Sequence, residues 1–224
     1  MSKGNIIFVH GSLHGAWCWD NFEKFFSTND YAVFSVDFQF QGKKRVVMDD
    51  YVKILNKEID KIGDNIILVA HSMGSNIVLK TLGMKRDKID KIILLSPLPI
   101  KNILTSMMIV GLHMIIKSKE EVFFSLDKID DISKDKYIKK LRKDPLIPQL
   151  QVLKGVKLGK NINSFPILVV TSWNDKCIPA KCCINTGKNL KAKTVMFNNV
   201  CHDMMLDEDW LLVAKEIYKF ITGE

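Results

Sequence analysis

The sequence predicts an α/β protein: a mostly parallel, doubly wound sheet of about six strands, with a helical segment inserted before the fifth. Three observations predict it. Short, β-branched apolar runs recur at 6–9, 32–36, 66–70, 91–95, 167–171 and 194–197. They are apolar nearly throughout rather than alternating, the pattern of strands covered on both faces. Helical patterns separate them, and such alternation over most of a chain builds a parallel sheet with helices on both sides.

The elements follow in order. The first strand, 6–9, runs into His10-Gly11-Ser12. The segment 47–62 places Met48, Val52, Leu55 and Ile59 on one helical face at spacings of three and four. A helix at 73–84 follows the third strand. Another at 179–190 opens on Pro179, a residue suited to a first turn. The last, 206–221, carries Trp210, Val213, Ile217 and Phe220 on one stripe. Between 100 and 164 no convincing strand occurs. Helical patterns at 107–116, 120–126 and 134–142 fill that stretch, and Pro97, Pro99 and Pro166 mark its borders. The expected organisation is a core of residues 1–99 and 165–224, with 100–164 as a helical cap over the carboxyl edge of the sheet.

Composition narrows the function classes. A chain of 224 residues fits one domain with an insert, and 47% hydrophobic residues suffice for a large core. The net charge of +8 comes from lysines that alternate with acids, as in Lys85-Arg86-Asp87-Lys88. No basic block is interleaved with aromatics, so a solvated surface is expected rather than a nucleic-acid partner. The five cysteines are odd in number and lack a CxxC spacing, which argues against a disulfide framework and against a metal site. The longest apolar stretch, 103–116, is broken by Thr105, Ser106 and His113 and falls short of the roughly 20 residues that span a bilayer. The opening run 6–9 is too short for a signal-peptide core. A cytoplasmic protein without a membrane partner is expected, and nothing in the sequence sets its oligomeric state.

Four motifs carry chemistry. Ala70-His71-Ser72-Met73-Gly74 joins a strand to a helix. A serine there sits on a sharp turn that needs small residues two positions either side, and it exposes its hydroxyl above the sheet. The Met73 N–H then lies where an oxyanion would form. His10-Gly11-Ser12 follows the first strand; the second oxyanion N–H is assigned to Ser12, while His10 reads better as a brace for the loop. Trp173-Asn174-Asp175 follows the strand at 167–171, where a carboxylate reaches the ligand crevice of an open α/β sheet. By position alone Asp175 would more readily cap the next helix or sit in a turn. Cys201-His202-Asp203 follows the last strand. Each motif is weak singly. Serine, acid and histidine in that order, each after a strand, form a joint signal, which selects Ser72, Asp175 and His202 as nucleophile, orienting acid and general base.

The run His10-Gly11-Ser12-Leu13-His14-Gly15-Ala16-Trp17-Cys18-Trp19 resembles the plant methylesterase and hydroxynitrile lyase family of α/β-hydrolases and its bacterial esterase relatives. Ala70-His71-Ser72-Met73-Gly74 and His202-Asp203-Met204-Met205-Leu206-Asp207 are similar to the same group. The resemblance implies the α/β-hydrolase fold and hydrolysis of small esters through an acyl-enzyme, with no cofactor. Three departures stand out. The sequence opens at its first core strand, without the antiparallel hairpin of many larger members. The lyase branch has lysine where Asp203 stands, and tends to have threonine where Gly11 stands. The last two favour an esterase.

The insert is expected to line the substrate pocket. Met107, Met108, Leu112, Phe123 and Phe124, together with Leu13, offer apolar, adaptable surface, although cap packing would use the same residues. A thioesterase, C–C hydrolase, cofactor-free haloperoxidase or hydroxynitrile lyase could share the triad. A small-molecule receptor on the same scaffold is the alternative outside enzymes. Turnover of a generic ester separates it from the others.

Overall fold

A computed structural model describes residues 2–40, 43, 45–82, 86–100, 118–124, 129–159 and 162–224. Six strands, β1 (Asn5–Val9), β2 (Ala32–Val36), β3 (Ile66–His71), β4 (Ile89–Leu95), β5 (Ile167–Ser172) and β6 (Lys193–Phe197), form one sheet in the order β2-β1-β3-β4-β5-β6. Every pairing is parallel. The central strands are buried on both faces: Ile6 to Val9, Leu68 to Ala70, Ile92 to Leu95 and Leu168 to Val170 have no exposed surface. Each of these side chains apart from that of Ala70 contributes roughly 1.5–3 kcal/mol of burial, so the sheet centre is the stable platform for the loops above it.

The helices that flank the sheet are α1 (Asp20–Thr28), α2 (Met48–Ile62), α3 (Met73–Thr81), α7 (Ala180–Leu190) and α8 (Trp210–Thr222). Helix α1 is absent from the sequence-based expectation, although its Phe22 and Phe26 lie four apart and are wholly buried. The last helix begins at Trp210 rather than near 206. Asp207 draws its carboxylate back to the N–H groups of Cys201 and Asp209 and holds residues 201–209 as turns. Between β4 and β5 the described residues form α4 (Lys119–Phe123), α5 (Asp131–Lys140) and α6 (Leu146–Val152). Helix α5 starts three residues earlier than its charge pattern predicts, because Asp130 caps it by accepting from the Ser133 N–H. Helix α6 is not foreseen at all. Among the described residues, no helix is long and apolar enough to cross a membrane.

Strand order positions the site. β1 lies between β2 and β3, so the chain leaves β1 and β3 in opposite lateral directions, and the crevice of an open sheet forms at such a reversal. The register pairs Val9 with Ala70, which brings the loop after β1 beside the loop after β3. It also pairs Ser172 with Phe197, so the loops after β5 and β6 are neighbours in turn.

Candidate active site

The turn after β3 is built around Ser72, whose backbone sits at φ 50°, ψ −122°. That left-handed φ is uncommon for a residue with a side chain and costs on the order of 1–3 kcal/mol, held here by its surroundings. Its N–H donates to the Leu95 carbonyl at 3.0 Å, which ties the turn to β4. Its carbonyl accepts from Ser75 Oγ at 2.5 Å. The small neighbours have a visible reason. A side chain at Gly74 would put its Cβ 2.5 Å from the Val9 carbonyl oxygen and 2.7 Å from that of His10. Ala70 is fully enclosed. Met73 is the first residue of α3, so its N–H has no acceptor within the helix.

The loop after β1 lies against this turn. A Cβ on Gly11 would fall 2.9 Å from Ser72 Cβ and 3.1 Å from His71 Nδ1. His10 braces the loop: its Nδ1 donates to the Gly11 carbonyl at 2.7 Å, and its Nε2 accepts from the Phe38 N–H at 3.2 Å. Both roles suit a neutral ring, and burial lowers its pKa to about 4. Ser12 Oγ lies 3.1 Å from Met73 Sδ, which joins the two residues assigned to an oxyanion site.

His202 is almost fully buried, and its Nδ1 lies 2.9 Å from Asp175 Oδ2. The other carboxylate oxygen of Asp175 accepts from the N–H groups of Cys177 and Ile178, both at 2.8 Å. Asp175 does not cap α7, whose N-cap is Pro179; it closes the turn before that helix and also grips the imidazole. Burial alone would push its pKa up, but the neighbouring His202 outweighs this and holds it below the usual value. For His202 burial pulls downward, and the facing Asp175 carboxylate more than reverses that, raising its pKa well above 6.5. Cys177 also lies beside the imidazole.

Asp203 points elsewhere. Its Oδ2 lies 2.8 Å from Nε2 of His14, and its Oδ1 faces His71 Nε2 at 3.8 Å. His71 Nε2 in turn donates to the His202 carbonyl at 3.0 Å. Burial lowers the His71 pKa to about 3, with His202 adding to the effect. His71, His202 and Asp203 each offer a ligand atom, all within 4.8 Å of one another. Two of the three already hold strong hydrogen bonds to Asp175 and His14, so the grouping is spent on internal contacts.

The insert meets the first loop through a short strap. Arg142 N–H donates to the Leu13 carbonyl at 2.7 Å, and the Leu13 N–H donates to Asp144 Oδ2 at 2.7 Å. The Arg142 guanidinium pairs bidentately with Asp37 at 2.8 and 3.1 Å. Neither Arg142 nor Asp144 carries a sequence signal for this role, because the loop they grip lies about 130 residues upstream. Leu13, at φ 68°, is therefore clamped through its backbone. Phe123 packs its ring 5.9 Å from that of His202 and 5.4 Å from that of His14. Phe124 lies against Tyr137 of α5, with ring centroids 6.0 Å apart, and is buried. Met107, Met108 and Leu112 lie outside the described residues.

Comparison with known proteins agrees with this architecture. The model of the Hydrolase_4 family, described as serine aminopeptidase S33, matches residues 1–209. Methylesterase 7 of Arabidopsis thaliana is 36% identical over 86 residues, a match that covers 33% of this chain and 33% of that protein. The similarity thus spans about a third of the length of such curated relatives. Tomato methylketone synthase I, solved with 2-tridecanone, superposes with a TM-score of 0.82 at 18% identity, over 100% of this chain and 99% of that one. The Arabidopsis methylesterase MES16 gives 0.78 at 18% identity, over 99% and 100%. At such identities the two structures establish the α/β-hydrolase fold.

Proposed function

The chain belongs to the serine aminopeptidase S33 family of α/β-hydrolases, and from that membership we propose that it is a serine hydrolase of carboxylesterase type. Its substrate is a small, fairly apolar ester, cleaved through an acyl-enzyme on Ser72. The observation that carries this reading is the buried Asp175–His202 hydrogen bond, together with Ser72 held at a left-handed φ on the turn after β3. The curated relatives named for methyl esters support the ester class.

His202 takes the Ser72 proton as the hydroxyl attacks the ester carbonyl. The N–H groups of Met73 and Ser12 receive the oxyanion. The imidazolium, stabilised by Asp175, protonates the leaving alcohol, and water then repeats the sequence to free the acid. Deprotonated His202 is the active form, so its raised pKa places the acid limb of kcat/KM above pH 6.5. The insert acts as a cap over this crevice, and its Phe123 ring lies 5.9 Å from that of His202. No metal or cofactor enters these steps.

The test is a fluorophosphonate probe with a panel of small esters, thioesters and cyanohydrins. Ser72 should be the only serine labelled, and Ser72→Ala should lose essentially all ester turnover while keeping its circular dichroism. Labelling elsewhere with turnover retained would sink the reading. So would cleavage of a cyanohydrin faster than any ester.

A further inference from the structure

The proposed chemistry needs two loops held in register, the one that carries Ser12 and the one that carries His202. A side-chain pair that the chemistry does not consume links them. His14 and Asp203 are both essentially without exposed surface. His14 Nδ1 lies 2.7 Å from the Ser12 carbonyl oxygen, and its Nε2 lies 2.8 Å from Asp203 Oδ2. A carbonyl oxygen only accepts, so Nδ1 carries a proton. An ionised carboxylate only accepts too, so Nε2 then carries one as well. With both ring nitrogens donating, the ring is an imidazolium. The Asp203 N–H donates to the Phe123 carbonyl at 3.1 Å, which fixes the far end of the pair to α4.

We infer that His14 and Asp203 form a buried imidazolium–carboxylate pair that positions the Ser12 peptide and the backbone next to His202 for catalysis. The inference rests on the esterase reading and adds two positioning residues to it. Burial opposes the charge on each partner, yet the attraction between them prevails: the His14 pKa is raised and that of Asp203 lowered. The two shifts agree in direction, as one ion pair requires. The pair is also neutral as a whole. It therefore joins the loops without adding net charge beside His202, the group whose protonation sets activity. Facing it are His71 from the elbow, His202 from the same loop, His10 and Cys18 from the region after β1, and Asp144 from the strap.

A purely structural contact and a positioning pair respond differently to loss of one charge. His14→Gln keeps a donor but leaves the Asp203 carboxylate uncompensated near His202. The acid limb of kcat/KM should then move up by about half a pH unit or more, since a nearby anion favours the protonated ring. Turnover should fall about three- to tenfold with KM changed less than about twofold, the pattern of an interaction made in the transition state. The double variant H14Q/D203N removes both charges and should return the limb to its wild-type position. Nitrogen-15 NMR of the wild-type chain at pH 7, with His14 assigned by its loss in His14→Gln, should show both ring nitrogens protonated. A neutral His14 ring overturns the inference. So does a limb that stays fixed in His14→Gln. Should that single variant not fold, wild-type NMR is assigned through the double variant and still decides. Failure here is distinct from failure of the esterase reading: turnover retained in Ser72→Ala would sink that reading and leave the NMR result unchanged.

Discussion

Two buried aspartate–histidine pairs stand side by side above this sheet. Asp175 meets His202 at 2.9 Å, and Asp203 meets His14 at 2.8 Å. Both carboxylates are held below their usual pKa, and both imidazoles are raised above theirs. Pair chemistry alone therefore does not distinguish the two. The surroundings do. The ring of His14 is used at both nitrogens, since Nδ1 is given to the Ser12 carbonyl. His202 commits Nδ1 to Asp175, and the proposed function uses its Nε2 for proton transfer. The carboxylates differ too. Asp175 has its second oxygen satisfied by two backbone N–H groups, whereas Asp203 Oδ1 has no hydrogen-bond partner among the described residues. In the proposed reading one pair is the proton-transfer unit. The other is a tie between loops.

Exchanging each carboxylate for its amide gives the largest expected contrast. Asp175→Asn should lower kcat on one ester by on the order of 10⁴, because the amide favours the wrong tautomer of the base. Asp203→Asn should stay within about tenfold, roughly 1.4 kcal/mol of barrier. Steady-state kcat for both variants decides it, and the reverse ranking would exchange the roles of the two pairs.

Gly11 lies where the two systems touch, against both Ser72 and His71. Threonine there, the residue typical of the lyase branch, must displace the elbow, because its Cβ would sit 2.9 Å from that of Ser72. A displacement near 1 Å can cost about a hundredfold. Gly11→Thr should lose activity on that scale in kcat. Full activity in that variant would mean the elbow yields more easily than its packing implies.

His10 and His71, the other two histidines among the described residues, help set the pH range in which both pairs are intact. His10 and His71 are neutral in the native state, with values near 4 and 3, and titrate near 6.5 when unfolded. The unfolded chain therefore binds more protons as pH falls from 6.5 toward 4. Stability should drop by up to about 1.4 kcal/mol per pH unit for each ring in that window. His14 and His202 act in the opposite sense. Their folded values lie above 6.5, so the stability they contribute is complete below 6.5 and lost as pH rises through those values. Denaturant midpoints across pH 4–9 should peak near 6.5. A flat profile would show that these rings are not protonated as their contacts require.

The smallest effect is expected in the cap. Met108→Ala should shift the acyl or alcohol length preference more than the melting temperature. A changed melting temperature with an unchanged substrate profile would make the residue a packing element.

Much of this molecule was legible in the residues themselves. Mostly apolar, β-branched runs marked all six strands, because the central strands are covered on both faces and hold few polar positions, while the edge strands β2 and β6 stay partly exposed. Ala70, Gly74 and Gly11 signalled crowding around Ser72, because a missing side chain is the local record of a close approach. Helix α1 escaped although Phe22 and Phe26 pointed to it, and α8 was placed too early because Asp207, which holds the turns before it, looks like any acid in sequence. What only the tertiary structure decided was the pairing of polar groups. Asp175 and Asp203 both lie close to the site in sequence terms, one a cap candidate and the other adjacent to His202. The β5–β6 register brings the loops of Asp175 and His202 together across 27 residues, whereas His14 and Asp203 meet across 189 residues from loops whose strands are not neighbours in the sheet. The strap at Arg142 and Asp144 belongs to the same class. Apolar burial is set by composition along one segment and can be read there. A hydrogen bond depends on the direction of two groups, and that direction exists only once the loops have been brought together.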